Sequence, residues 1–181
     1  GYGDCNRIAS DGCEAAFASD VSNCGGCDQS CSFPNANPAC AGSACRIEVG
    51  ISTAFGCTIQ GRVEVSEVLR LLRAVLDVGV DQVGLADTVG YADPLKVSRL
   101  FEQCFSVAGA RLACGHFHDT RGLGLANVYA AWQVGVRRFD ACLGGIGGCP
   151  HAPGASGNVS SEDVAYLFAS MGVATGVDFD A

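Results

Sequence analysis

From residue 47 onward, apolar and polar positions follow patterns that predict strands and helices in alternation. Short apolar runs typical of buried strands lie at Ile47–Phe55, Gln82–Ala86, Leu112–His118 and Arg138–Leu143. After each run, apolar residues recur every three or four positions, as on a helix with one buried face. The helical stripes are Val68, Leu71, Leu72 and Val75; Val97, Leu100, Phe101 and Cys104; Leu125, Val128, Tyr129 and Trp132; and Val164, Leu167 and Phe168. This alternation predicts an α/β fold with a parallel sheet of about four βα units.

Two of these predicted helices begin at recognisable capping residues. Asp93 is followed by Pro94, and an Asp N-cap with Pro at the first helical position is a common helix start. Ser160 precedes the last apolar stripe, and Glu162 and Asp163 fall in its first turn, where acidic side chains suit the helix dipole. These two helices are therefore predicted to start just after residues 93 and 160.

Residues 1–46 differ from the rest of the chain in composition. They contain seven of the twelve cysteines, many Gly, Asn, Ser and Asp residues, and few large aliphatic side chains. Such a segment buries little apolar surface and needs disulfides or a metal for stability. Disulfides are the favoured interpretation. Zinc at Cys24 and Cys27 is less favoured, because the segment lacks histidine and a second CxxC pair, and disorder is the third alternative. We predict a cysteine-rich, loop-rich segment over residues 1–46 and an α/β domain over residues 47–181.

The charge balance excludes two classes of partner. The chain has 11 Lys and Arg residues against 19 Asp and Glu residues, and the basic residues form no cluster that could follow a phosphate backbone. We therefore expect neither nucleic acid nor an anionic membrane as a partner, and no apolar run reaches membrane-spanning length. The N-terminal GYGDCNR lacks the features of a secretory signal, which favours a cytoplasmic location. The cysteine-rich segment, in contrast, favours an oxidising compartment.

Residues with catalytic or metal-binding potential follow the ends of the predicted strands. His116 and His118 are two positions apart, so a strand would place both imidazoles on one face. Asp87 follows the second strand, and Cys149 and Asn158 lie in a glycine-rich stretch after the fourth. The carboxyl edge of a parallel sheet carries the active site in (β/α)₈ barrels. A complete barrel takes about 250 residues, so the domain corresponds to about half of one.

Four stretches of this domain resemble the hydroxymethylglutaryl-CoA lyase family. They are FGC at 55–57, GLADTVGYADP at 84–94, GHFHDTRGLGLAN at 115–127 and GGCPHAPGASGNVSSEDV at 147–164. The HxHD pattern is shared with isopropylmalate and homocitrate synthases of the same metal-dependent barrel family, whereas GGCP followed by GASGN resembles the lyases. The resemblance implies a partial (β/α)₈ TIM barrel made of its C-terminal half. The stretches DCNRIASDGCE and NCGGCDQSC resemble cysteine-rich repeats of secreted myxobacterial-type proteins.

The resemblance also implies a role for each candidate residue. His116, His118 and Asn158 would be metal ligands, with His116 also acting in catalysis. Cys149 would handle a proton on the acetyl-CoA carbanion, and Asp87 would lie near the substrate hydroxyl. The implied reaction cleaves an acyl-CoA substrate, hydroxymethylglutaryl-CoA, to acetoacetate and acetyl-CoA. Mg²⁺ or Mn²⁺ suits the mixed nitrogen and oxygen ligand set, and Zn²⁺ is a less favoured choice.

Lyases of this family also use an Arg–Asp pair on the first barrel strand and a Glu from an early strand, and this chain has no recognisable equivalent. We therefore expect weak or no activity from the chain alone. Open strand edges with exposed apolar side chains predict a homo-oligomer or a missing half-barrel partner. Two other functions stay open: a condensing acyltransferase of the isopropylmalate or homocitrate synthase type, and a non-catalytic fusion fragment.

Two of the candidate residues also have simpler structural interpretations. Cys149 could be a buried apolar thiol, which is what we expect of Cys104, Cys114 and Cys142. Asp87 could accept hydrogen bonds from backbone amides in a turn. The mobile, glycine-rich setting of Cys149 favours its catalytic interpretation.

Overall fold

The computed structural model describes residues 2–3, 15–16, 22–27, 29–31, 37–41, 43–149 and 154–178. The strands are β1 (Tyr2–Gly3), β2 (Ala15–Ala16), β3 (Asn37–Ala41), β4 (Ala44–Ile51), β5 (Gln82–Asp87), β6 (Leu112–Phe117) and β7 (Arg138–Asp140). The helices are α1 (Val65–Asp77), α2 (Pro94–Ala108), α3 (Gly124–Gln133) and α4 (Ser161–Ser170), with 3₁₀ turns at Gly109–Arg111 and Leu143–Gly145. No helix among these residues is long and apolar enough to cross a membrane.

Five of the strands form one sheet in the order β3-β4-β5-β6-β7. Strands β4 to β7 are parallel, and each is followed by one of the four helices, which confirms the predicted series of βα units. Strand β3 instead pairs antiparallel with β4, and β1 and β2 form a separate antiparallel pair. The sequence pattern did not predict β3, because this strand lies within the cysteine-rich segment.

The chain divides into two compact units, one formed by residues 1–49 and 75–83 and the other by residues 50–74 and 84–181. In the first unit, the β3–β4 hairpin pairs Asn37 with Glu48 at its open end and Ala41 with Ala44 at its turn. Asp81 links the two chain segments of this unit, because its carboxylate accepts a hydrogen bond from the Ile47 backbone amide at 2.9 Å.

Two disulfides link the β3–β4 hairpin to the segment that precedes it. They join Cys24 to Cys40 and Cys31 to Cys45, with Cα–Cα distances of 5.6 and 5.4 Å, within the usual range for a disulfide. Cys27 is also disulfide-bonded. The two cysteines considered for zinc are thus both in disulfides, which favours the disulfide interpretation for this part of the segment.

The second unit has an aromatic core beneath its sheet. Phe101 of α2 and Phe117 of β6 are fully buried, and their ring centroids lie 6.4 Å apart. The Phe55 ring lies 6.3 Å from that of Phe101 and 6.1 Å from that of Phe117. The apolar stripe predicted for α2 is buried in this unit. The stripe predicted for α3 is wrong, because only Val128 of it is buried and Tyr129 is 39% exposed, while Asn127, Ala130 and Ala131 are buried instead.

The other face of this sheet is built from small and polar side chains. On β5, the half-buried Gly84 and Ala86 alternate with the buried Leu85 and Asp87. A cavity of about 230 Å³ lies on the open face, lined by Gly50, Ser52, Gly84, Leu85, Ala86, Thr88, Cys114, His116 and Asp140. In strands β4 to β7, where burial is described, the large apolar side chains are buried or half-buried, which differs from the exposed apolar strand residues that we expected. Exposed large apolar side chains of the described residues lie in helices, turns and loops instead, among them Ile59, Val78, Leu95, Leu143, Ile146 and Tyr166.

Helix starts match the capping residues, whereas two strand ends differ from the prediction. Asp93 caps α2 by accepting from the Lys96 amide, and Ser160 caps α4 by accepting from the Asp163 amide at 3.1 Å. Strand β4 ends at Ile51 rather than Phe55, because Thr53 adopts a turn conformation with φ of 55°. Strand β7 ends at Asp140, shortly before a 3₁₀ turn with two glycines at positive φ.

Candidate active site

The two histidines of the HxHD stretch lie side by side at the carboxyl end of β6. Their ring centroids are 5.2 Å apart, on the face of the strand opposite the buried Phe117. His116 is partly exposed, whereas His118 is only 5% exposed. The strand alternation therefore brings both imidazoles together at the edge where parallel α/β folds carry their active sites.

Asn158 reaches this position through backbone pairing that joins distant parts of the chain. The Val159 amide donates to the Phe117 carbonyl at 3.0 Å, and the Asp119 amide donates to the Gly157 carbonyl at 2.9 Å. These bonds form an antiparallel bridge between His118 and Asn158. A residue 40 positions further along the chain is thus held directly beside the second histidine.

The side chains of His118 and Asn158 each present a buried atom without a hydrogen-bond partner. These atoms are His118 Nδ1 and Asn158 Oδ1, two of the four such side-chain atoms among the described residues; the others are Thr120 Oγ1 and Asn127 Oδ1. Buried polar atoms are normally satisfied, so these two atoms in bridged residues are free to accept or ligate a bound group. Imidazole nitrogen and amide oxygen are both donors for a divalent cation, so the residues present fit a metal.

The electrostatics of the two histidines also suit this interpretation. Burial is the main cause that lowers the pKa of His118, and the neighbouring His116 lowers it further. This favours the neutral imidazole, which is the form that ligates metals. Asp140, paired in register with His116 on β7, places a carboxylate oxygen 3.7 Å from His116 Nδ1. That distance is longer than a hydrogen bond, and the nearby imidazole holds the pKa of Asp140 below its usual value.

Asp87 is fully buried at the end of β5, and its carboxylate organises the loop that follows. One oxygen accepts from the Tyr91 amide at 2.7 Å and the other from the Ala92 amide at 3.0 Å. Burial nevertheless raises the pKa of Asp87 above its usual value. Asp87 thus accepts hydrogen bonds from backbone amides of a turn, as its structural interpretation predicted, and a catalytic role for Asp87 stays a prediction.

Arg121, which no sequence motif indicated as a site residue, also stabilises this loop. Its Nη1 donates to the carbonyls of Val89 and Gly90 at 3.1 and 2.9 Å, and its guanidinium lies 4.4 Å from the centroid of the Tyr91 ring. Because this arginine follows the HxHD stretch, it ties the loop after β5 to the loop after β6. Its position directly after that stretch was the one signal that could have found it.

Cys149 is a half-buried free thiol in the loop after β7. Its catalytic role stays a prediction. The residues that directly follow it, 150–153, lie outside the described part of the chain. The other cysteines differ from the expectation of three buried apolar thiols. Cys104 is fully buried, but Cys114 and Cys142 are only half-buried, and Cys142 Sγ accepts a hydrogen bond from Asn158 Nδ2 at 3.1 Å.

Comparison with known proteins places the same residues in a family. The profile of the HMGL-like family matches residues 39–181. The (R)-citramalyl-CoA lyase of Chloroflexus aurantiacus is 46% identical over 133 residues, which cover 74% of this chain and 42% of that protein. The hydroxymethylglutaryl-CoA lyase of Pseudomonas mevalonii is 42% identical over 136 residues, covering 75% of this chain and 45% of the relative. The crystal structure of hydroxymethylglutaryl-CoA lyase from Pseudomonas aeruginosa matches with a TM-score of 0.70 at 43% identity, covering 75% of this chain and 45% of that one.

The fold and the site thus define a partial α/β barrel with a histidine and asparagine cluster at its carboxyl edge. The chain belongs to the HMGL-like family. The predicted resemblance and the partial-barrel fold are both confirmed. The chain spans less than half the length of the relatives described above.

Proposed function

We propose that this chain carries the metal-binding half of a CoA-ester lyase site. The observation that supports it is the cluster of His116, His118 and Asn158, two of which hold buried polar atoms without partners. We assign Mg²⁺ or Mn²⁺ to these three residues, because a mixed nitrogen and oxygen ligand set that leaves open positions for substrate and water oxygens suits these cations. The names of the relatives, which are lyases of CoA esters, agree with this assignment.

The proposed substrate is a 3-hydroxyacyl-CoA such as hydroxymethylglutaryl-CoA. When bound, the cation would lower the pKa of the substrate hydroxyl and orient the bond to be broken. The hydroxyl proton would pass to water as the C2–C3 bond breaks, which would release acetoacetate and leave the enolate of acetyl-CoA. A proton added at C2 of this enolate completes the reaction.

The chain's own residues would bind, orient and move protons. We assign the proton that reaches C2 to the Cys149 thiol. Asp140 lies beside His116 and would keep its imidazole oriented toward the site. Asp87 would act by holding the Tyr91 and Ala92 amides, and with them the loop beside the substrate hydroxyl.

Release of acetoacetate from hydroxymethylglutaryl-CoA in the presence of Mn²⁺ tests this function. We expect slow turnover, well below the typical rate of about 10 per second, because the chain lacks the charge-stabilising Arg that the family resemblance implies. The Cys149→Ser variant should lose roughly a hundredfold or more of this rate, as expected for removal of a general acid.

The Cys57→Ser variant is the matched control, because Cys57 is also a half-buried free thiol. Equal rates for Cys149→Ser and the unmodified chain would contradict the proton-transfer role. Formation of a condensed acid from acetyl-CoA and an α-keto acid, without acetoacetate release, would favour the synthase-type alternative.

A further inference from the structure

We infer that Asn158 is also a positioning residue for the loop that carries Cys149, so that cation binding and loop order are coupled through one carboxamide. This inference rests on the proposed function, because it uses Asn158 Oδ1 as a metal ligand. The two ends of the Asn158 carboxamide have different surroundings, because Nδ2 has hydrogen-bond acceptors and Oδ1 has no partner.

The amide nitrogen of Asn158 lies within hydrogen-bond distance of three acceptors, which its two hydrogens share. Nδ2 donates to the Ile146 carbonyl at 2.9 Å, to the Gly147 carbonyl at 3.2 Å and to Cys142 Sγ at 3.1 Å. The reverse orientation would place Oδ1 against two carbonyl oxygens, which would repel it. The contacts therefore fix the direction of the carboxamide and leave Oδ1 as the atom without a partner.

Glycine at position 147 is required for this close approach. Gly147 has a φ of 98°, and a Cβ there would lie 2.7 Å from Asn158 Nδ2. A side chain at this position would push the loop away from the amide. The backbone two residues before Cys149 is thus shaped to receive Asn158.

The loop has little apolar packing to hold it in place. Leu143 is 73% exposed and Ile146 is 70% exposed, so neither large side chain is buried. Further polar anchors are Glu162, whose carboxylate accepts from the Gly144 amide at 3.0 Å, and the backbone bonds of Cys142 to Val159 and Ser161. Asn158 is only 8% exposed and is flanked by backbone bonds to the end of β6. The bonds of Asn158 are thus the side-chain contacts that hold the loop nearest to Cys149 among those the structure describes.

A cation at Oδ1 would strengthen the bonds made by Nδ2. Coordination draws electron density from the carboxamide and makes its N–H groups better donors, since hydrogen bonds in a chain polarise one another. Cation binding should therefore tighten the loop and restrict access to the Cys149 thiol. Loss of the Nδ2 donors should loosen the loop whether or not a cation is bound.

The test compares alkylation of Cys149 by iodoacetamide, mapped by mass spectrometry, with and without Mn²⁺. In the unmodified chain, Mn²⁺ should slow Cys149 alkylation severalfold and leave the Cys57 rate unchanged. Asn158→Asp keeps a ligand oxygen but replaces the donor with an oxygen that faces two carbonyls. It should still bind Mn²⁺ by electron paramagnetic resonance, alkylate Cys149 about tenfold faster, and show no Mn²⁺ protection, as expected for the loss of one or two hydrogen bonds.

Leu143→Ala is the matched control, because it changes an exposed side chain of the same loop and should leave both rates unchanged. Circular dichroism melts establish that each variant is folded. An Asn158→Asp variant with the Cys149 rate and Mn²⁺ response of the unmodified chain would overturn the inference. Failure of the unmodified chain to bind Mn²⁺ would overturn the proposed metal site instead, and the metal-free rates of the two proteins would still test whether Asn158 holds the loop.

Discussion

At the scale of single residues, strand alternation predicted the shared face of the two histidines but not the positions of Asn158 and Asp140. The spacing of His116 and His118 placed both imidazoles on one face, and their rings lie 5.2 Å apart. The approach of Asn158 depends on a bridge across 40 residues, and only the family resemblance suggested it. Asp140 was missed because its contact with His116 requires the register of β6 and β7, which the sequence does not specify.

The free cysteines lead to a prediction about pH. Burial raises the pKa of Cys104 to about 11 and that of Cys114 to about 12, whereas backbone hydrogen bonds lower the pKa of Cys57. The thiolate is the reactive form, and it appears as pH rises through the pKa. Cys57 should therefore be alkylated before Cys104 and Cys114 as pH rises from 7 to 10, because these two thiols stay protonated over that range. Equal rates for Cys57 and Cys114 at pH 8, measured by mass spectrometry, would contradict these environments.

At the scale of elements, capping chemistry located helix starts well, and turn geometry limited the strand ends. Asp93 and Ser160 cap α2 and α4 as predicted, because each provides a short-range oxygen acceptor for an unpaired amide. The end of β4 depends on Thr53, whose positive φ is set by tertiary structure rather than by its residue type. Strand β3 was missed because its antiparallel pairing with β4 has no periodic apolar signal.

Removal of the Ser160 cap should destabilise the chain measurably. Ser160 Oγ accepts from the Asp163 amide at 3.1 Å, so Ser160→Ala leaves this amide without its acceptor. We expect a loss of about 1 kcal/mol in the free energy of unfolding, determined by urea titration. The neighbouring Ser161→Ala, at the first helical position, is the control and should change it much less, since Ser160 rather than Ser161 provides the capping oxygen. A loss of equal size in both variants would mean that the Ser160 cap contributes nothing specific.

At the scale of the whole molecule, the chain resembles half of a barrel whose inner face remains open. It spans 42% and 45% of the two lyase relatives compared above. The small and polar residues of the open sheet face differ from the apolar surface that we expected, so the sheet does not drive association by apolar burial alone. Amino-acid composition could not predict the polarity of this sheet face, because composition does not show which strand residues face the inside of a barrel and which face the helices.

We predict that a complementary half will increase the lyase activity of this chain. The N-terminal half of the Pseudomonas mevalonii relative, added in excess with Mn²⁺, should raise acetoacetate release at least about a hundredfold, which is the usual worth of one charge-stabilising group. The same addition to His118→Ala should have no effect. Rates that stay unchanged with the unmodified chain would contradict a half-barrel that accepts a partner.

Mn²⁺ binding followed by electron paramagnetic resonance tests the central claim most directly, because it requires neither the missing half nor the substrate. The proposed site should bind one Mn²⁺ per chain, with an affinity roughly a hundredfold lower in His118→Ala. His151→Ala, which replaces the third histidine of the chain, should bind like the unmodified protein. An absence of Mn²⁺ binding, or equal affinity in His118→Ala and the unmodified chain, would contradict the proposed metal site.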